Sequence, residues 1–248
     1  MQRIRGKVHS LKLSADSDQP AKVVMRTTEE NSSYPVQTAR ALVWDLPLRL
    51  FHWALASAFV VSWVTAEAGI EWADAHLYSG YTALALLTFR ILWGFAGTRY
   101  ARFRQFLSGP SAVFNALRAL GNRSAPTQPG HSALGGWASV ALMVLMFSQA
   151  ASGLFITDDI LFSGPYHSAV SSSVADFLAS FHHLNFNVLT TAVAAHLAVM
   201  LWYRLRKRHN LVLPMISGFS DVDPVLGIMS SRLGNALICV AITAILMG

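Results

Sequence analysis

The sequence predicts an all-α integral membrane protein, a four-helix transmembrane bundle followed by a short fifth helix, and three observations predict it. Of 248 residues, 53% are hydrophobic and 13% charged, about half the charged share of a soluble domain. The apolar residues gather into runs long enough to cross a hydrocarbon core, which takes roughly 20 helical residues. Basic and acidic residues sort between alternate connecting segments, as they do in a chain threaded through a bilayer.

Residues 1–40 are polar and show neither a helical nor a strand period, which predicts a mobile cytoplasmic tail. A membrane domain is expected over residues 41–216 and a C-terminal extension over 217–248. The first span runs from about Leu50 to Ala66 and the second from about His76 to Ala96. The third runs from about Leu134 to Ile156 and the fourth from about His182 to Tyr203. The fifth run, Leu233 to Met247, is short, so it crosses with tilt or local thinning, or lies at the interface. The first apolar run starts near residue 50, behind the tail, which is not the pattern of a cleaved secretory signal. Trp44, Trp72, Trp137 and Trp202 fall near the expected span ends, where aromatic rings favour the interface.

Charge gives the expected orientation. Between the second and third spans lie Arg99, Arg102, Arg104, Arg118 and Arg123, and after the fourth come Arg204, Arg206, Lys207 and Arg208. The tail is basic as well. The other two loops hold Glu67, Glu71, Asp74, Asp158, Asp159 and Asp176, with no Lys or Arg. The positive-inside rule then puts the N-terminus of a multi-pass membrane protein in the cytoplasm. The basic residues flank spans and form no single face, so no nucleic-acid partner is expected; the expected surroundings are membrane lipid. With one cysteine, Cys239, and no C-x-x-C-H, an internal disulfide, a cysteine-held iron–sulfur cluster and covalent haem attachment are excluded.

An ionisable side chain inside a span is costly and points to function. His182 and His196 lie 196 − 182 = 14 residues apart, close to four helical turns, so they share a face and are separated by about 21 Å along the axis. His52 opens the first span from the cytoplasmic side and so matches His196 in depth. His76 opens the second span from the outside and matches His182. Two pairs at two depths, His52/His196 and His76/His182, are natural axial ligands for two six-coordinate haems held in a bundle core. His183 lies about 100° around the helix from His182 and is the less favoured neighbour. Arg90, 90 − 76 = 14 residues after His76, shares that face at the depth of the cytoplasmic pair. A buried guanidinium needs an anionic partner, for which a haem propionate or a bound quinone would serve. His131, at the start of the third span, is a second candidate for such a contact.

These segments resemble a known family. V-W-D-L-P-L-R-L-F-H-W-A-L-A (43–56), H-L-Y-S-G-Y (76–81), F-R-I-L-W-G-F (89–95), G-H-S-A-L-G-G-W (130–137), F-H-H-L-N-F-N (181–187) and H-L-A-V-M (196–200) are together similar to the bacterial cytochrome b561 family, which includes the b-type cytochrome subunits of nickel–iron hydrogenases. The resemblance covers about Val43 to Ile216. It implies haem iron ligands at His52, His76, His182 and His196, two haem b groups and electron exchange with the quinone pool. Where family members commonly carry Glu after the ligand at His182, this chain has His183. The expected function is a transmembrane di-haem cytochrome passing electrons between quinone and a periplasmic redox protein, a cytochrome c or an oxidoreductase subunit. Two other readings stay open: a superoxide oxidase-type enzyme coupled to quinone reduction, and a membrane anchor subunit of a redox complex. The outer loops carry only acids, which disfavours attraction of an anion such as superoxide.

Overall fold

The structure, a computed structural model, describes residues 39–119, 129–157 and 163–247. The expected tail up to residue 38, together with Arg123, Asp158 and Asp159, lies outside the described residues. The chain enters through a short strand, β1 (Ala39–Leu42), and turns into α1 (Leu46–Glu67). Asp45 caps α1, its carboxylate accepting from the Leu48 N–H at 2.8 Å. Pro47 sits in the first turn, where a missing N–H costs nothing. The helix ends before Gly69, whose φ of 107° belongs to the region that favours glycine, and a 3-10 turn at Ile70–Trp72 leads into α2 (Ala73–Ala96). After α2 come two short helices, α3 (Phe103–Phe106) and α4 (Pro110–Ala119). Ser132 then caps α5 (Ala133–Gly153), accepting from the Gly135 N–H at 3.1 Å. The longest helix is α6 (Ser172–Arg206), 35 residues or about 52 Å.

α1 packs on α2, α2 on α5 and α5 on α6. Towards α1 and α2, α6 reaches with side chains: Trp63 of α1 meets Phe186 at a ring separation of 5.8 Å, and His76 of α2 meets His182. Val43, Trp44, Leu48, Phe51, Leu87, Trp93 and Leu189 belong to the buried core. The outward faces stay apolar, with Val64 60% and Leu197 61% exposed, which suits lipid and not water. Three helices, α1, α5 and α6, are long and apolar enough to cross a membrane, so this is a mostly helical membrane protein. α2 matches them in length, at 24 residues, but His76, Tyr78, Ser79, Tyr81, Thr82 and Arg90 make it more polar.

Two features depart from the expected layout. α6 begins at Ser172, ten residues (182 − 172) ahead of the expected start at His182. Apolar Val174, Ala175, Phe177 and Leu178 carry the helix there, and hydropathy averaging hides them among the serines around them. In addition, α7 (Val212–Ser217) leads into a second strand, β2 (Phe219–Val222), that pairs antiparallel with β1, Ala39 opposite Val222 and Leu42 opposite Phe219. Gly218, with φ 91°, permits that turn and its carbonyl accepts from the Val43 and Trp44 N–H groups at 2.9 and 3.0 Å. The last helix, α8 (Leu233–Met247), lays Ala236, Cys239 and Thr243 against the bundle and packs on α2.

Candidate functional site

α2 and α6 bring the rings of His76 and His182 to a centroid separation of 6.4 Å, tilted by 72°. Their hydrogen bonds fix which nitrogen each ring offers. Nδ1 of His76 lies 2.8 Å from the Ser62 carbonyl, a group that only accepts, so Nδ1 carries the proton and Nε2 is a bare lone pair. The link is braced by Ser62 and Ser79, whose hydroxyls meet at 2.6 Å. For His182 the partner is Ser152 of α5, 3.1 Å from Nδ1. The Ser152 hydroxyl donates to the Gln149 carbonyl at 3.0 Å, so its oxygen accepts from the imidazole. Both rings thus present Nε2, and both are held by an acceptor on another helix. Gly153 makes room: a Cβ there would lie 3.1 Å from Cε1 of His182. His183, next to it, is exposed.

The other end is assembled differently. His52 of α1 and His196 of α6 are half-buried electrostatic neighbours. Nδ1 of His52 is fully enclosed without a partner, and no hydrogen bond to the His196 ring occurs among the described residues. Arg90 is 3% exposed. Its guanidinium lies over the rings of Phe103 and Phe106, at 5.0 and 5.7 Å, and its Nη1 is enclosed without a partner. His131 is wedged between Trp44 and Phe106, both at 4.7 Å, with Nδ1 enclosed and unpartnered. Burial, with help from the nearby charges of Arg90 and His52, pushes the His131 imidazole down to about 3, so it stands neutral at physiological pH. The three groups therefore form one electrostatic cluster, as the shared depth of Arg90 and His52 in the sequence suggested.

Sequence reasoning missed the anion in that cluster. Asp45 is 0% exposed and accepts from Leu48 N–H, from Trp93 Nε1 at 3.1 Å and from the Thr98 hydroxyl. Burial pushes its carboxyl above the usual range, against the pull of those donors and of Arg90. The available signal was the Asp-Leu-Pro start of the first span, a helix N-cap pattern, and the acid stands among basic residues.

The donor set can be tested against a haem. Among the described residues no three His, Cys, Asp or Glu side chains converge as a metal site, which leaves pairs of histidines. A pair suits an iron whose other four ligands come from a macrocycle. Two imidazoles on opposite sides of one metal, each bonded at about 2 Å, have centroids about 6 Å apart, close to the 6.4 Å between His76 and His182. A Cβ on Gly80, one turn from His76, would meet nothing within 4 Å, so open space adjoins the pair. The His76/His182 pair fits the group. Residues 43–218 match the family model described as prokaryotic cytochrome b561. No curated protein and no solved structure gives a match.

Proposed function

The chain belongs to the prokaryotic cytochrome b561 family, and is on that ground a transmembrane b-type cytochrome of electron transfer, for which we propose a di-haem path between a periplasmic redox protein and the quinone pool. In this reading α1, α2, α5 and α6 all cross the inner membrane, with the N-terminus in the cytoplasm. His76 and His182 hold one haem b near the outer surface, and His52 and His196 hold the other nearer the cytoplasm. The haem irons supply one-electron chemistry when bound. A haem held by two histidines would be suited to outer-sphere electron transfer. The chain's own part is to fix the imidazole tautomers, to exclude water with Phe51, Leu189 and their neighbours, and to keep the two sites about 21 Å apart along α6. Arg90 and His131 are placed to meet an acidic or carbonyl group, a haem propionate or a quinone, at the His52 end.

The supporting observation is the facing of His76 and His182, each with its Nδ1 proton committed elsewhere and Nε2 free. The test is a reduced-minus-oxidised visible spectrum with pyridine haemochrome quantification on the purified protein. Two non-covalent low-spin b haems per chain are expected. His196→Ala is expected to lose one of them and its quinone-linked activity, and full haem content in that variant would sink the assignment.

A further inference from the structure

The helix α4 takes no part in the histidine sites, and its two faces differ in chemistry. Pro110, Val113, Phe114 and Leu117 recur at the spacing of one helical face, and Ser111, Asn115 and Arg118 at that of another. No residue of α4 is buried. Its apolar face lies beside the first turn of α5 and, with Trp137, lines an open groove instead of closing against the bundle. Phe114 is 53%, Leu117 51% and Trp137 48% exposed. Trp137 Nε1 donates to the Ser108 carbonyl at 3.0 Å, which ties the entrance of α4 to the start of α5. The groove thus sits at the end of a helix long and apolar enough to cross a membrane, the level at which tryptophan and short amphipathic helices meet lipid headgroups.

Charge selects the occupant. Residues 97–119 hold Arg99, Arg102, Arg104 and Arg118 and no Asp or Glu. Arg99, Arg104 and Arg118 are exposed. The guanidinium of Arg118 lies over the Phe114 ring at 4.1 Å, so a cation stands at the rim of the apolar groove. An amphiphile with an anionic head and a hydrocarbon tail matches both parts. Its tail covers Val113, Phe114, Leu117 and Trp137, and its phosphate takes a charge-assisted hydrogen bond from Arg118. Free phosphate would satisfy only the arginine, and a zwitterionic lipid brings a cation of its own to a basic surface. We propose that this groove binds an anionic phospholipid of the membrane leaflet at that end of the bundle, with one acyl chain along α4 and the phosphate on Arg118. The site depends on the membrane placement of α5 and not on the haem assignments.

The test is native mass spectrometry of the full-length protein released from detergent, titrated with dioleoyl phosphatidylglycerol or with dioleoyl phosphatidylcholine. Wild type is expected to retain one phosphatidylglycerol more tightly than phosphatidylcholine. Arg118→Gln is expected to weaken phosphatidylglycerol by about fivefold, the share of one basic residue at an anionic membrane surface, and to leave phosphatidylcholine unchanged. Val113→Trp, which fills the groove, is expected to weaken both lipids. Arg206→Gln, an exposed arginine on α6, is expected to change neither. Excess inorganic phosphate is expected not to displace the lipid. Equal retention of the two lipids by wild type, an equal loss in Arg206→Gln, full retention in Val113→Trp, or displacement by inorganic phosphate overturns the proposal. If Val113→Trp does not fold, Leu117→Gln, at a half-exposed position, decides in its place: it must weaken both lipids, and unchanged retention is contrary.

Discussion

Asp45→Ala is expected to destabilise the protein by about 3–5 kcal/mol, the range for removing one partner of a buried charged network. The figure can be built from the contacts. The carboxylate caps α1 through Leu48 N–H, and losing a cap costs about 1 kcal/mol. It also accepts from Trp93 Nε1 and the Thr98 hydroxyl in a site with no solvent exposure, and each stranded donor costs about 1–3 kcal/mol. Arg90, itself buried, loses its counter-charge. Asp45→Asn keeps the Oδ1 that accepts from both Leu48 N–H and Trp93 Nε1 and loses the oxygen that accepts from Thr98, and should cost about half as much. The assay is denaturation of the detergent-solubilised protein followed by tryptophan fluorescence, since Trp93 reports from the site. If Asp45→Ala unfolds within about 0.5 kcal/mol of wild type, the range of an ordinary surface change, the argument fails. It also fails if Asn costs as much as Ala, because hydrogen bonding would then not be the source.

Two further outcomes follow from the same end of the molecule. Gly136→Ala should destabilise by about 1–3 kcal/mol, because its Cβ would lie 2.5 Å from the Phe106 carbonyl oxygen, a backbone atom that cannot swing aside; the same denaturation series measures it. His131, neutral in the fold with a value of about 3 against 6.5 unfolded, takes up its proton first in the unfolded chain. Its contribution is therefore intact above pH 6.5 and falls as pH drops towards 3, by up to about 1.4 kcal/mol per pH unit less what solvent screens. Stability of wild type and His131→Gln measured across pH 4–8 should converge on acidification, and parallel curves would contradict this.

How much of this was legible in the sequence depends on the physics behind each feature. The meeting of His76 and His182 across α2 and α6 was legible because helix periodicity and span direction together set depth and face. Arg90 was legible as a buried charge for the same reason. Its counter-ion was not, because Asp45 is 45 residues away in sequence (90 − 45) and meets it only once α1 and α2 pack. The acceptors, the Ser62 backbone carbonyl and the Ser152 hydroxyl, were invisible for a similar reason: each meets its imidazole only once two helices pack. The strands β1 and β2, four residues each, carry no alternation long enough to register. Hydropathy locates α6 but misplaces its start, since Ser171, Ser172 and Ser173 mask the amphipathic turns that follow.

The pairing of Ala39 with Val222 joins residues 222 − 39 = 183 positions apart. A ribosome makes the entrance to the first helix early and its strand partner nearly last. Until residue 216 has emerged, the N-terminal end of α1 lacks the carbonyls of Met215 and Ile216, which accept from Trp53 and Arg49, and until residue 222 has emerged β1 lacks its full strand partner. Closure of the entrance is thus a late event in biogenesis, governed by a long chain separation. A nascent chain halted before residue 219 would have its four long helices in place and its doorway unlatched.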